Sequence, residues 1–282
     1  MTPAAPTGSS GTAAARPAMC CVQCRRPWAN EPGTSDLALC AGCGAPIRVD
    51  AVAVDFVSAC APPPSLGARV MQSRPLARVY EGLWRPVLFG LSTGFGAPGA
   101  KEEARQVLRL LEGCADPWLD LSCGPGSLLR EIVTANASRD GTSPASPERG
   151  RNREVFGLDR SRAMLERARL AAPRATLVRA DAADLPFADA TFGAIANLAA
   201  LDLYPDPSRV VAEAARVLAP GGRWVCSTFV RRAGTPASRR SSTTGVRTPA
   251  IDEVAHWARC AGLGRFGQRL FRRYAIAWAD KS

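Results

Sequence analysis

From residue 101 to the end, short apolar runs alternate with segments whose apolar positions recur every third or fourth residue. The first kind predicts buried strands and the second amphipathic helices. Helices are expected over 101–111, with Ala104, Val107, Leu108 and Leu111 on one face, and after Ser127, where Leu128, Leu129, Ile132 and Val133 follow. Two more are expected over 161–172, carrying Met164, Leu165 and Ala168, and over 208–218, carrying Val210, Val211, Ala214, Val217 and Leu218. Strands are expected over 118–120, 155–159, from 176, over 192–201 and over 223–230, with a hairpin closing the sheet over 265–279. This alternation predicts an α/β fold: a Rossmann-like, doubly wound, mostly parallel sheet. The punctuation agrees. Ser161 is placed to cap its helix, and A-P-G-G at 219–222 reads as a helix stop. Thr248, ahead of Pro249 and the dipole-complementing Asp252 and Glu253, reads as the cap of a last helix. The alternation over 49–57 predicts one strand that finishes a small N-terminal unit.

Elsewhere the periodicity lapses. Residues 134–153 read as a disordered insertion, 61–65 as a linker and 231–247 as an arginine-bearing loop. Over 66–99 the pattern is irregular, with Tyr80, Trp84, Phe89 and Phe95 expected to pack within helices that cover a cleft. The chain thus divides into a tail at 1–19, a small unit at 20–60 and a large domain at 66–282. The tail is acid-poor and hydroxyl-rich without an apolar core segment, which argues against a secretory signal. It suits an organellar transit peptide or its remnant as well as it suits a plain disordered tail.

Of the 282 residues 46% are hydrophobic, enough for a packed core, yet no apolar run reaches bilayer-spanning length. The formal net charge of +11 favours a polyanionic partner such as nucleic acid, and the loop arginines Arg231, Arg232, Arg239, Arg240 and Arg247 suit either a phosphate backbone or solvent. Ten cysteines in a chain this long point to a reducing compartment. Four of them, Cys21, Cys24, Cys40 and Cys43, form two C-x2-C knuckles, the spacing of a four-thiolate zinc ribbon. A metal there would replace the core that so short a segment cannot build. The rival reading, a redox pair, requires a different fold around it.

The sharpest local signal is W-L-D-L-S-C-G-P-G-S at 118–127: an apolar strand ending in an acid, then a glycine turn, then a helix. Gly124 and Gly126 let the turn be tight and a ligand come close to backbone. The helix behind them offers its free N–H groups. The spacing is not the dinucleotide fingerprint, because a third glycine is missing. Asp159 ends the second strand, where a carboxylate can accept from both hydroxyls of a ribose or simply cap the next helix. Asp181, at the end of the third strand, is placed to meet the amine of an adenine.

Taken in order, D-L-S-C-G-P-G-S, G-L-D-R-S, R-A-D-A-A-D-L-P-F and R-V-L-A-P-G-G-R resemble the motifs of class I S-adenosylmethionine (SAM) methyltransferases. The resemblance implies that Asp120, Ser122, Gly124 and Gly126 face the methionine part of SAM. It implies that Asp159, with Arg160 beside it, holds the ribose, that Asp181 and Ala182 hold the adenine, and that Asn197 lies beneath the transferred methyl. The ribbon together with Y-E-G-L-W-R-P-V-L-F-G is similar to chloroplast methyltransferases of plants and algae and, more distantly, to bacterial enzymes that methylate guanine N1 of 23S rRNA. In those rRNA enzymes the ribbon ends in a histidine; here it ends in Cys43. The implied activity is methyl transfer from SAM, with an RNA base as acceptor or, alternatively, a small molecule of the quinone or sterol type. No catalytic residue is assigned; Asp202 is a weak candidate base. Cys123 and Cys226 read as buried small hydrophobes.

Overall fold

The computed structural model describes residues 19–28, 37–56, 73–75, 96–139, 153–231 and 246–282. The tail up to residue 18, the linker at 61–65, the aromatics of the 76–95 stretch and the loop arginines Arg232, Arg239 and Arg240 lie outside them. Among the described residues the elements are β1 (Leu37–Leu39), β2 (Pro46–Val49), β3 (Val54–Asp55), α1 (Ala100–Leu110), β4 (Trp118–Leu121) and α2 (Ser127–Arg139). They continue with β5 (Val155–Leu158), α3 (Arg162–Ala171), β6 (Thr176–Arg179), β7 (Phe192–Leu198), α4 (Pro207–Val217) and β8 (Leu218–Phe229). The last three are α5 (Ile251–Cys260), β9 (Leu263–Phe271) and β10 (Tyr274–Lys281).

The strands form one sheet in the order β1-β2-β3-β6-β5-β4-β7-β8-β10-β9. From β3 to β8 all neighbours are parallel, and both margins are antiparallel. Strands buried on both faces carry continuous apolar runs, and here the alternation assigns each residue to one of two cores. Leu119, Leu121, Phe156 and Leu158 pack with α4 and α5, whereas Trp118, Val155 and Leu177 pack with α1, α2 and α3. Phe156, Phe187 and Phe192 meet edge to face, with centroids 4.8–5.8 Å apart, at the centre of the first core. Gly157 has a packing reason: a Cβ there would sit 2.6 Å from Leu129 Cδ1, so its absence lets α2 close onto β5.

The chain runs outward from β4 to β5 and β6, then crosses back to place β7 and β8 on the other side of β4. That reversal is a topological switch point, where open α/β sheets hold their ligands beyond the carboxyl ends of the strands.

Four local expectations differ from the structure. The strand expected over 49–57 is broken, because Asp50 Oδ1 accepts from the amides of Val52 and Ala53 and turns the chain between β2 and β3. The helix ends at Val217 as the A-P-G-G stop implies, but the following strand begins at Leu218, not at Arg223: pairing jumps from Phe192↔Leu218 to Ala194↔Arg223, so residues 219–222 bulge inside β8, with Gly221 at φ 74°. The last helix is preceded by Ala250, not by Thr248, because Glu253 Oε2 takes the Ala250 amide at 2.8 Å. Helix α2 continues to Arg139, into the stretch read as an insertion from residue 134; residues 140–152 lie outside the described ones.

Candidate functional site

The glycine turn leaves β4 at the switch point. Ser122 and Gly124 both adopt left-handed backbone, φ 61° and 53°, which reverses the chain within a few residues. A Cβ on Gly124 would meet nothing within 4 Å, so this position faces open space. Gly126 is glycine for another reason: a Cβ there would lie 2.9 Å from Ala168 Cα, so the turn could not rest on α3. The backbone of the turn is tied across the sheet, since the Gly124 amide donates to Asp159 Oδ2 at 2.9 Å. Asp159 Oδ1 accepts from the Ser161 amide at 2.7 Å, and Ser161 Oγ caps α3 by accepting from Met164 at 3.3 Å. Burial pushes the Asp159 carboxyl above the usual carboxylate range, against the amides that favour its charged form.

One loop further along the edge, Arg160 Nη1 donates to Asp181 Oδ2 at 2.9 Å, and Asp181 Oδ1 accepts from the Ala183 amide at 3.0 Å. Ala182 is buried beside them. On the other side of the switch point, Asp120 and Asn197 are buried at the ends of β4 and β7. Asn197 Nδ2 donates to Leu121 O and to the Tyr204 hydroxyl, each at 2.8 Å. That hydroxyl lies 2.6 Å from Ser122 Oγ. Asp120, Ser122, Gly124, Asp159, Asn197 and Tyr204 thus gather at the carboxyl ends of β4, β5 and β7, with Arg160, Asp181 and Ala182 one loop further along the edge. Tyr204 escaped the sequence reading; the available signal was a lone aromatic in the polar D-L-Y-P-D-P loop that follows a buried strand.

Asp202, in the same loop, is buried, with Thr228 Oγ1 donating to it at 3.3 Å. Burial raises its carboxyl to about 6. Cys123 and Cys226 are buried, and desolvation pushes both thiols up, which leaves neither suited to act as a nucleophile.

At the far margin the thiol sulfurs of Cys21, Cys24, Cys40 and Cys43 all lie within 4.8 Å of one another, with Cys21–Cys43 at 3.6 Å and Cys24–Cys40 at 3.5 Å. Zn–S bonds of about 2.3 Å at tetrahedral angles place sulfurs about 3.8 Å apart, so this donor set fits zinc. The cluster is joined to the cleft. β3 pairs in parallel with β6, and the Phe56 amide donates to Arg179 O at 2.8 Å. Arg25 donates to Leu185 O at 2.9 Å and pairs with Asp184, while Cys20 donates to Pro186 O at 2.9 Å. Arg162–Asp50 and Arg179–Asp55 ion pairs, at 2.6 and 2.9 Å, close the seam. The ribbon therefore holds the loop that begins at Asp181. In the arginine loop, Arg231 and Arg247 both pair with Glu253. Among the described residues no helix is long and apolar enough to cross a membrane.

Residues 119–226 match a family model described as a methyltransferase domain. The chain is 27% identical over 238 residues to an uncharacterized chloroplastic methyltransferase of Arabidopsis thaliana, an alignment covering 80% of this chain and 57% of that protein. It is 36% identical over 117 residues to a demethylmenaquinone methyltransferase of Symbiobacterium thermophilum, covering 39% of this chain and 41% of the relative. The chain thus spans about half the length of these relatives. Among solved structures, phosphoethanolamine N-methyltransferase 2 of Haemonchus contortus, held with S-adenosylhomocysteine, superposes with a TM-score of 0.57 at 15% identity. That superposition covers 77% of this chain and 59% of the other. Residues 119–226 therefore form a methyltransferase domain, set in a chain with the fold of the SAM-dependent methyltransferases.

Proposed function

We propose that the protein is a SAM-dependent methyltransferase whose acceptor is a small molecule of the quinone type. The observation that supports this most is the tie between the Gly124 amide and Asp159 at the switch point, with Asn197 buried across the cleft. In this reading Asp120, Ser122, Gly124 and Gly126 line the methionine end, Asp159 and Arg160 the ribose, and Asp181 and Ala182 the adenine. Asn197 lies under the methyl group. Bound SAM supplies a sulfonium that is already a good leaving group. The protein's part is then to hold acceptor and methyl within about 3–3.5 Å and keep water out. No strong acid or base is required, and none is assigned.

Two observations support this acceptor. Among the described residues, Arg231 and Arg247 of the arginine loop spend their charge on Glu253, and Arg25 of the ribbon spends its charge on Asp184 and Glu213. Arg231 and Arg247 are two of the five loop arginines that suited an RNA phosphate backbone; Arg232, Arg239 and Arg240 lie outside the described residues. Relatives named for an acceptor include a demethylmenaquinone methyltransferase and a 27-O-demethylrifamycin SV methyltransferase, both named for small molecules. In this reading the ribbon, holding one zinc on Cys21, Cys24, Cys40 and Cys43, braces the enzyme. A plastid location accords with the acid-poor start of the chain and with the chloroplastic relative; import of a fluorescent fusion into isolated plastids tests it.

The deciding experiment incubates the purified protein with methyl-labelled SAM and, in separate arms, demethylated quinone precursors, a metabolite extract and total RNA. Label in the quinone or metabolite arm is expected. Label in RNA alone overturns the small-molecule reading, and failure of calorimetry to detect SAM binding overturns the whole proposal.

A further inference from the structure

The Tyr204 hydroxyl stands where three elements converge: the glycine turn, the end of β7 and the loop that leads into α4. Its oxygen accepts from Asn197 Nδ2 at 2.8 Å. The Asn197 amide cannot be turned to serve otherwise without loss, because the same nitrogen also donates to Leu121 O at 2.8 Å. An Asn side chain so fixed is a donor, and the phenol oxygen receives. The phenol proton is then available to the neighbour at 2.6 Å, Ser122 Oγ. With the phenol oxygen already taking the Asn197 proton, the arrangement we infer has Ser122 accepting from the phenol, which leaves the Ser122 hydroxyl proton to point away from it. Burial favours the neutral phenol further, raising Tyr204 well above its ordinary range, with the carboxylates of Asp159 and Asp181 adding to the effect. Asn197 Oδ1 is buried in a fully covered side chain and makes no hydrogen bond, so the pocket retains an acceptor facing none of its own donors.

We propose that Tyr204 is a positioning residue for the amino-acid end of the cofactor: by donating to Ser122 it turns the Ser122 hydroxyl into a donor aimed at the cofactor carboxylate. This rests on the SAM reading above. A donor locked in one orientation before the ligand arrives favours binding, because no rotor has to be immobilised during association. The effect is confined to the part of the ligand that Ser122 touches. Ribose and adenine contacts, which belong to Asp159, Arg160, Asp181 and Ala182 in that reading, are left unchanged.

The test compares two ligands by calorimetry on the full chain: SAM, and 5′-methylthioadenosine, which keeps the nucleoside and sulfur but lacks the amino acid. Tyr204→Phe is expected to weaken SAM about threefold to tenfold, the worth of one oriented hydrogen bond, and to leave 5′-methylthioadenosine within about twofold. Ser122→Ala should show the same split, and the double variant should be no weaker than Ser122→Ala alone, since the two side chains act as a unit. Equal losses for both ligands would mark Tyr204 as merely structural and overturn the proposal. So would additive losses in the double variant, or no loss at all. If Tyr204→Phe fails to fold, the Ser122→Ala split decides: its absence overturns the proposal, and its presence supports the donor role. Wild-type protein that binds 5′-methylthioadenosine but not SAM refutes the inference while leaving a nucleoside site; binding of neither removes the cofactor reading and this inference with it.

Discussion

The cysteine ribbon and the cofactor cleft are built by opposite means. The ribbon's donors come in two local pairs, each held by a short turn, and their chemistry is complete within residues 21–43. The cleft draws on the ends of β4, β5 and β7 and on a loop as distant in sequence as that of Tyr204, and no fragment of it is a site by itself. Yet the two are not independent, because β3 is hydrogen-bonded to β6 and Arg25 reaches the Asp184 loop. A self-contained cluster serves here as the brace of a distributed one.

The largest expected effect breaks this link. In the proposed zinc-bound ribbon, Cys40→Ser removes one donor of the four, and with it most of what orders the unit. Melting should fall by about 10 °C or more, in line with the folding energy carried by structural zinc sites. Because the ribbon holds the loop starting at Asp181, SAM affinity should fall as well. Calorimetry that finds a normal cofactor affinity on an unfolded ribbon would show that the brace is idle. A chelator-treated sample should behave like the variant.

A middle-sized effect separates the two glycines of the turn. Gly126→Ala forces left-handed backbone on alanine and drives its Cβ to 2.9 Å from Ala168 Cα, so a cost of about 2–4 kcal/mol in stability is expected. Gly124→Ala meets open space and should cost only about 1–2 kcal/mol, the strain of the backbone alone. Denaturant titration of the two variants checks the order; its reversal would mean that the turn does not rest on α3.

A subtler effect concerns Asp202. Its folded carboxyl sits at about 6, above the ordinary 3.8, so the native state holds a proton that the unfolded chain releases between those values. Stability should therefore be fuller below about pH 4 on this account and be lost as pH rises through 6, by a total on the order of 1–3 kcal/mol. Asp202→Asn keeps the acceptor for Thr228 and removes the charge, so its melting temperature should exceed that of the wild type at pH 8 and match it more nearly at pH 5. Wild type and variant with parallel pH profiles would sink the assignment.

Much of the frame was legible because it depends on local periodicity. The buried runs at 118–121, 155–158 and 192–198 and the helical faces of α3 and α4 follow from side-chain spacing alone, and Ser161 caps α3 as its residue type and position suggest. Errors arose where one side chain overrode the local pattern. Asp50 bent an alternating run into a turn, and Glu253 moved a helix start from Thr248 to Ala250. The A-P-G-G segment ended a helix as expected but was drawn into β8, because β7 offered a partner on both sides of the bulge.

The sequence by itself determined the class of the domain, the order of its strands and helices, and the four thiols, because spacing along the chain is enough to set a period, a turn or a knuckle. Only the tertiary structure decided that Tyr204 meets Ser122 and Asn197, that Arg231 and Arg247 answer to Glu253, and that the ribbon extends the sheet beside β6. Such contacts join residues far apart in the chain. They depend on which strands become neighbours, and that is chosen by the burial of the whole sheet, not by any one segment.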